Sequence, residues 1–135
     1  MTKKKTAAKK KTAGTRGELP EVFAALRAIL VRYAKRLDVT EDSAKGYSLQ
    51  CKTAKAPNGS PMFFAATTMR TSTVNFYLMP VYVHPELLES ISPELKKRMQ
   101  GKSCFNFKKV DAPLFKQLAA LTKAGFDHWR AEGMR

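Results

Sequence analysis

The chain has little sulfur, little imidazole and no long greasy run: two cysteines and two histidines in 135 residues, and no acidic residue before Glu18. Two thiols, Cys51 and Cys104, are too few for a disulfide framework. Apolar runs are interrupted by charges or by Pro80, which excludes a membrane-spanning helix. Met1 to Gly17 holds lysines and threonines but no apolar core of a secretory signal, so the expectation is a cytoplasmic protein with both thiols reduced. With only His84 and His128 as candidate bases, no catalytic constellation is visible and no reaction can be read.

What is present is enough for one folded unit. Hydrophobic residues make up 44% of the chain, with eight Phe, four Tyr and one Trp, sufficient to bury a core in a single domain over residues 18–135. The net charge of +14 divides evenly. Residues 1–17 carry six lysines (Lys3, Lys4, Lys5, Lys9, Lys10 and Lys11) and Arg16 without an acid, and the other 18 basic and 11 acidic residues leave +7 on the remainder. The first segment has no large apolar side chain after Met1 and repels itself, so it is expected to be a disordered arm. Such an arm seeks phosphates on nucleic acid or another polyanion; its alternative role is a solubilising leader.

From Glu18 the periodicity becomes helical. Leu19, Val22, Phe23, Leu26, Ile29, Leu30, Tyr33 and Leu37 form one stripe, Pro20 is expected in the first turn, and Asp38 to Ser43 is expected to close the helix as a polar turn. The period then drops to two. Tyr47, Leu49 and Cys51 alternate with Ser48, Gln50 and Lys52, and Asn58-Gly59 marks a hairpin. Met62 to Thr68 and Thr73 to Met79 complete a three-strand meander. His84-Pro85 and Ser92-Pro93 start short helices, the second ended by Gly101, and Ser103 to Lys108 reads as a fourth strand. A last helix opens at Asp111, with Leu114, Phe115, Leu118, Leu121, Thr122, Phe126 and Trp129 on its stripe. The predicted class is α+β: a small antiparallel sheet of about four strands covered on one face by two long helices, in the order α-β-β-β-α-α-β-α.

Five short words in this order carry a resemblance: Phe63-Phe64-Ala65-Ala66, Asn75-Phe76-Tyr77-Leu78-Met79-Pro80, Ile91 to Lys96, Gly101 to Phe107, and the helix from Leu118 to Phe126. Together they resemble the YdhG-like family of small bacterial domains, largely of unknown function, over about residues 18–132. The resemblance implies a frataxin-like α/β fold, and for one branch an iron chaperone. An iron site of that kind needs clustered carboxylates. The first helix offers no acidic ridge, since Arg27, Arg32, Lys35 and Arg36 occupy it, which leaves Asp38, Glu41 and Asp42 as the cation cluster. No cofactor or metal is expected, iron at these three carboxylates being the alternative.

The stretch Gly101 to Lys109, GKSCFNFKK, concentrates the remaining chemistry. Lysines around Cys104 would favour a thiolate, yet neither histidine can be tied to it, and a half-buried strand thiol is the simpler expectation. Cys51, Cys104, His84 and His128 lack the close paired spacing of a metal site. Phe105 and Phe107 imitate the stacking rings of RNA-binding sheets, but two amphipathic helices need an apolar sheet face, so both rings are assigned to the core. Cys104, Asn106 and Lys108 then face outward with Asn75, Tyr77, Gln50 and Lys52, and this polar, weakly basic face is the candidate ligand or partner surface. The expected function is a non-enzymatic binding domain for an acidic or anionic partner (nucleic acid, an anionic ligand or an acidic protein), as a monomer or small homo-oligomer. The alternative is the iron chaperone.

Overall fold

The computed structural model describes residues 15–134, so the six lysines of the basic arm lie outside the described residues. The class is α+β, with one antiparallel sheet whose spatial order is its chain order, β1-β2-β3-β4-β5. The chain runs α1 (Thr15–Val31), β1 (Asp38–Asp42), β2 (Gly46–Lys55), β3 (Pro61–Met69), β4 (Val74–Leu78), α2 (Met79–Val83), a 3-10 helix (Pro85–Ser90), α3 (Pro93–Lys96), β5 (Cys104–Phe107) and α4 (Ala112–Ala131).

The sheet has five strands where about four were expected. The additional one is β1: Asp38 to Asp42 do not close the helix as a turn but pair with β2, Asp38 opposite Gln50 and Asp42 opposite Tyr47. An edge strand with both sides largely in water has no apolar alternation to reveal it, and its charges suit an edge that must not pair with another chain. The first helix ends earlier than its stripe indicates and begins sooner. Turns follow Val31, Leu37 remains buried, and Pro20 lies inside the helix because backbone winding starts at Thr15.

The β2–β3 hairpin turns where Asn58-Gly59 placed it, with Gly59 at φ 88° and Asn58 Oδ1 accepting from Ser60 N at 3.0 Å. In the pairing of these strands Leu49 faces Ala65 and Gln50 faces Phe63. The extra residue, Phe64, makes a bulge, and both Phe64 and Ala65 are fully buried. Strand β4 stops at Leu78; Met79, expected as the last residue of that strand, starts α2 because Pro80 follows it and cannot continue the ladder. Gly101 does not end a helix. Helix α3 finishes at Lys96, and Gly101, at φ 83°, sits in the turn that folds Arg98–Gln100 along the outer edge of β5. There Asn106 N donates to Arg98 O and Gln100 N donates to Cys104 O, both at 2.8 Å.

The core lies between one sheet face and the two long helices. Tyr47, Leu49, Cys51, Val74, Phe76, Leu78, Phe105 and Phe107 are buried in it, as the alternation requires, together with the whole predicted stripe of α4. Its centre is aromatic. Phe64 meets Tyr33, Phe126 and Trp129 at ring separations of 5.9, 5.8 and 5.9 Å, tilted or edge-on contacts that add to area burial. Asp111 caps α4 by accepting from Leu114 N at 3.2 Å, and Ser92 caps α3 by accepting from Leu95 N, also at 3.2 Å. No helix among the described residues is long and apolar enough to cross a membrane.

Candidate functional site: the open sheet face and its basic edge

Antiparallel pairing converts the sequence alternation into rows across the sheet. One row on the face away from the helices runs Glu41, Ser48, Ala66, Tyr77, Cys104. The next runs Gly46, Thr68, Asn75, Asn106. Asn75, Tyr77, Cys104 and Asn106 therefore occupy four adjacent positions of two neighbouring strands, as the outward-facing set requires. Tyr77, Cys104 and Asn106 are half-buried, and Asn75 is buried to 9% exposure.

These side chains hold one another in place. Thr73 Oγ1 donates to Asn75 Oδ1 at 3.3 Å, and Asn75 Nδ2 donates to the Tyr77 hydroxyl at 3.0 Å. Asn106 Nδ2 donates to Gln100 Oε1, while the Cys104 thiol lies 3.6 Å from Asn106 Oδ1. The Tyr77 ring is thus fixed by its own strand. Burial pushes the Cys104 thiol above its ordinary value; a hydrogen bond to Tyr77 and the Arg70 charge oppose that shift without reversing it. A thiol held protonated is a poor nucleophile, and the histidines lie elsewhere, both against Glu132.

The other expected members of the face separate. Gln50 is on it but lies in β2, opposite Phe63 and Asp38. Lys52 extends past the face to Asp38, with Nζ to Oδ1 at 3.0 Å, and so ties the edge strand to β2. Lys108 falls after β5, where the chain bends out of the ladder; it lines a groove of about 340 Å³ with Arg98, Phe107, Lys109, Val110 and Asp111. Two participants escape a reading by strand pattern alone. Phe63 is the ring that the β3 bulge turns onto the open face, and Arg70 belongs to the turn joining β3 to β4.

The acidic cluster is also distributed. Asp42 receives Arg27 Nη2 at 3.0 and 3.1 Å, and the same guanidinium stacks 4.8 Å from the Tyr47 ring centre. Asp38 is engaged by Lys52, and Glu41 accepts from Ser43 Oγ at 3.1 Å. Asp38 and Glu41 pair with outward residues, whereas Asp42 pairs with the inward Tyr47, so the three carboxylates do not converge.

Charge is concentrated at the β5 side of the sheet. Between Lys96 and Lys109 stand Lys96, Lys97, Arg98, Lys102, Lys108 and Lys109 with no acidic residue, and all six are exposed. The turn at Gly101 and the pairing of Arg98–Gln100 with β5 fold these cations around one edge, next to Cys104 and Asn106. Comparison of the chain with models of known protein families, with curated proteins and with solved structures finds no match.

Proposed function

We propose that the chain is a non-enzymatic binding domain for a polyanion, and that single-stranded nucleic acid is the polyanion that its surface suits best. The observation that carries this is the junction of an edge bearing six exposed cations with an open sheet face bearing two half-buried rings, Phe63 and Tyr77, and the amides of Gln50, Asn75 and Asn106. Cations along an edge neutralise consecutive phosphates, and rings on a flat face accept unstacked bases. Duplex nucleic acid would use the edge alone. The lysines at positions 3, 4, 5, 9, 10 and 11 add sequence-independent affinity to the same partner. The resemblance to YdhG-like domains with a frataxin-like fold belongs to this reading as its architectural part. The iron role attached to one branch is not adopted for Asp38, Glu41 and Asp42, two of which are in ion pairs.

The test is fluorescence anisotropy of the full chain with labelled single-stranded RNA, single-stranded DNA and duplex DNA at two salt concentrations. Affinity is expected to fall steeply with salt for all three. Tyr77→Ala is expected to weaken single-strand binding by roughly 1–3 kcal/mol while sparing the duplex. Charge reversal of Lys96, Lys97 and Lys102 is expected to reduce the salt slope for every ligand. Indifference of single-strand binding to both substitutions overturns the proposal.

A further inference from the structure

The two histidines are unrelated in sequence, yet the fold brings them together. His84 joins α2 to the 3-10 helix, and His128 is in the last turns of α4; their ring centres are 4.1 Å apart, tilted by 63°. Two carboxylates complete the cluster. Glu86, in the first turn of the 3-10 helix, places Oε2 at 3.5 Å from His84 Nδ1. Glu132, the residue that caps the end of α4, places Oε1 at 3.1 Å from His84 Nε2 and Oε2 at 3.7 Å from His128 Nε2.

We propose that His84, Glu86 and His128 form a binding site for a first-row divalent transition ion, with Glu132 orienting the imidazoles. One ligand atom from each of the three lies within 4.8 Å of the others, and among the described residues this is the one group of three His, Cys, Asp or Glu side chains that does so. A tetrahedral ion with bonds of about 2.0–2.1 Å has ligand atoms roughly 3.4 Å apart. His84 Nδ1 and Glu86 Oε2 are 3.5 Å apart, close to that value, and a ring nitrogen of His128 lies within 4.8 Å of the other two ligand atoms, so side-chain adjustment draws the third ligand in. Two imidazoles and one carboxylate are a donor set of intermediate softness, which favours zinc, iron(II) or cobalt over calcium or magnesium. His84 has one ring nitrogen toward each glutamate. With Nδ1 and Glu86 on the ion, Glu132 is placed to accept the Nε2–H and hold the ring's orientation, a recurrent arrangement in metal sites.

The supports are rigid. His84 N donates to Pro80 O at 2.8 Å and His84 O accepts from Leu87 N at 3.0 Å, so its backbone is held on both sides. His128 precedes Trp129, which is buried to 1% exposure. The His84 ring is only 18% exposed, while His128 and Glu132 are about two-fifths exposed, which leaves a path for solvent and ion. Three protein ligands leave a coordination position for water or for a partner's group. The site lies apart from the open sheet face and is independent of the nucleic-acid proposal.

The experiment is calorimetric titration of the full chain with Zn²⁺, with Co²⁺ as the spectroscopic probe. One equivalent is expected to bind, with Co²⁺ giving visible d–d absorption. His84→Ala and His128→Ala are expected to abolish saturable binding, and Glu132→Gln to weaken it about 10–100-fold. Because the caps at His84 are backbone bonds, these variants are expected to keep the far-ultraviolet circular dichroism of the parent. Cys104→Ser and the triple neutralisation of Asp38, Glu41 and Asp42 are expected to leave binding unchanged. Failure to saturate at stoichiometric metal, survival of binding in folded His84→Ala or His128→Ala, or its loss in Cys104→Ser would each overturn the assignment.

Discussion

Gly125 of α4 lies so close to Pro80 of α2 that a Cβ on the glycine would sit 2.8 Å from Pro80 Cβ. Only a residue without a side chain allows the two helices this approach. Because His84 follows Pro80 by four residues and His128 follows Gly125 by three, the same approach brings the two imidazoles together.

Gly125→Ala is therefore expected to destabilise the domain by roughly 1–3 kcal/mol, the usual cost of overpacking. The backbone of Pro80 and α4 must separate, so Zn²⁺ affinity should fall as well, although no ligand is changed. Urea denaturation and zinc titration of the same preparation check both effects. Parent-like stability would show that α2 can yield without cost.

Phe63 and Phe64 are neighbours with opposite fates. Phe64 is fully buried among Tyr33, Phe126 and Trp129, whereas Phe63 opposes the outward Gln50. Phe64→Ala is expected to cost about 3–5 kcal/mol in unfolding free energy, the range for truncating a core aromatic. Phe63→Ala should cost clearly less and should instead lower affinity for single-stranded nucleic acid. Denaturant midpoints and anisotropy of the two variants separate the roles.

Alkaline pH should weaken the fold. Burial raises the thiols of Cys51 and Cys104 above their ordinary 9.0, and the phenols of Tyr33 and Tyr47 above 10.0. Each group keeps its proton to higher pH in the folded than in the unfolded chain. The stability this contributes is whole below the ordinary values and is lost as pH rises toward and through the raised ones. Urea midpoints should be flat near neutrality and decline once the unfolded thiols begin to ionise. Cys51→Val should soften the first part of that decline. In the native protein both thiols should react with iodoacetamide more slowly than a free thiol at the same pH, and at the ordinary rate in denaturant; equal rates in the two states would refute their protection.

Most of the elements were legible because their signals are local. The stripes of α1 and α4, the alternation in β2 and β4, the Asn58-Gly59 turn and the Ser92 and Asp111 caps each depend on residues a few positions apart. Strand β1 was not legible, since an edge strand buries too little to need an apolar pattern, and its acids resemble a turn. The Phe64 bulge was hidden for a related reason: two successive inward residues break the period of two, and only the partner strand shows which residue is extra.

The candidate surfaces divide along the same line. Alternation alone was enough to turn Phe105 and Phe107 inward and Cys104 and Asn106 outward, because a strand's two faces are set by covalent geometry and an apolar face must be covered. Sequence also determined the cation-rich run from Lys96 to Lys109, which is composition and needs no fold. Tertiary structure alone decided what lies beside what: Asp38 and Asp42 drawn into ion pairs, Phe63 brought onto the open face, and His84 set against His128 across 44 residues of chain. Those relations depend on how α4 packs on α2 and how β1 pairs with β2, contacts between segments distant in sequence that no local periodicity encodes.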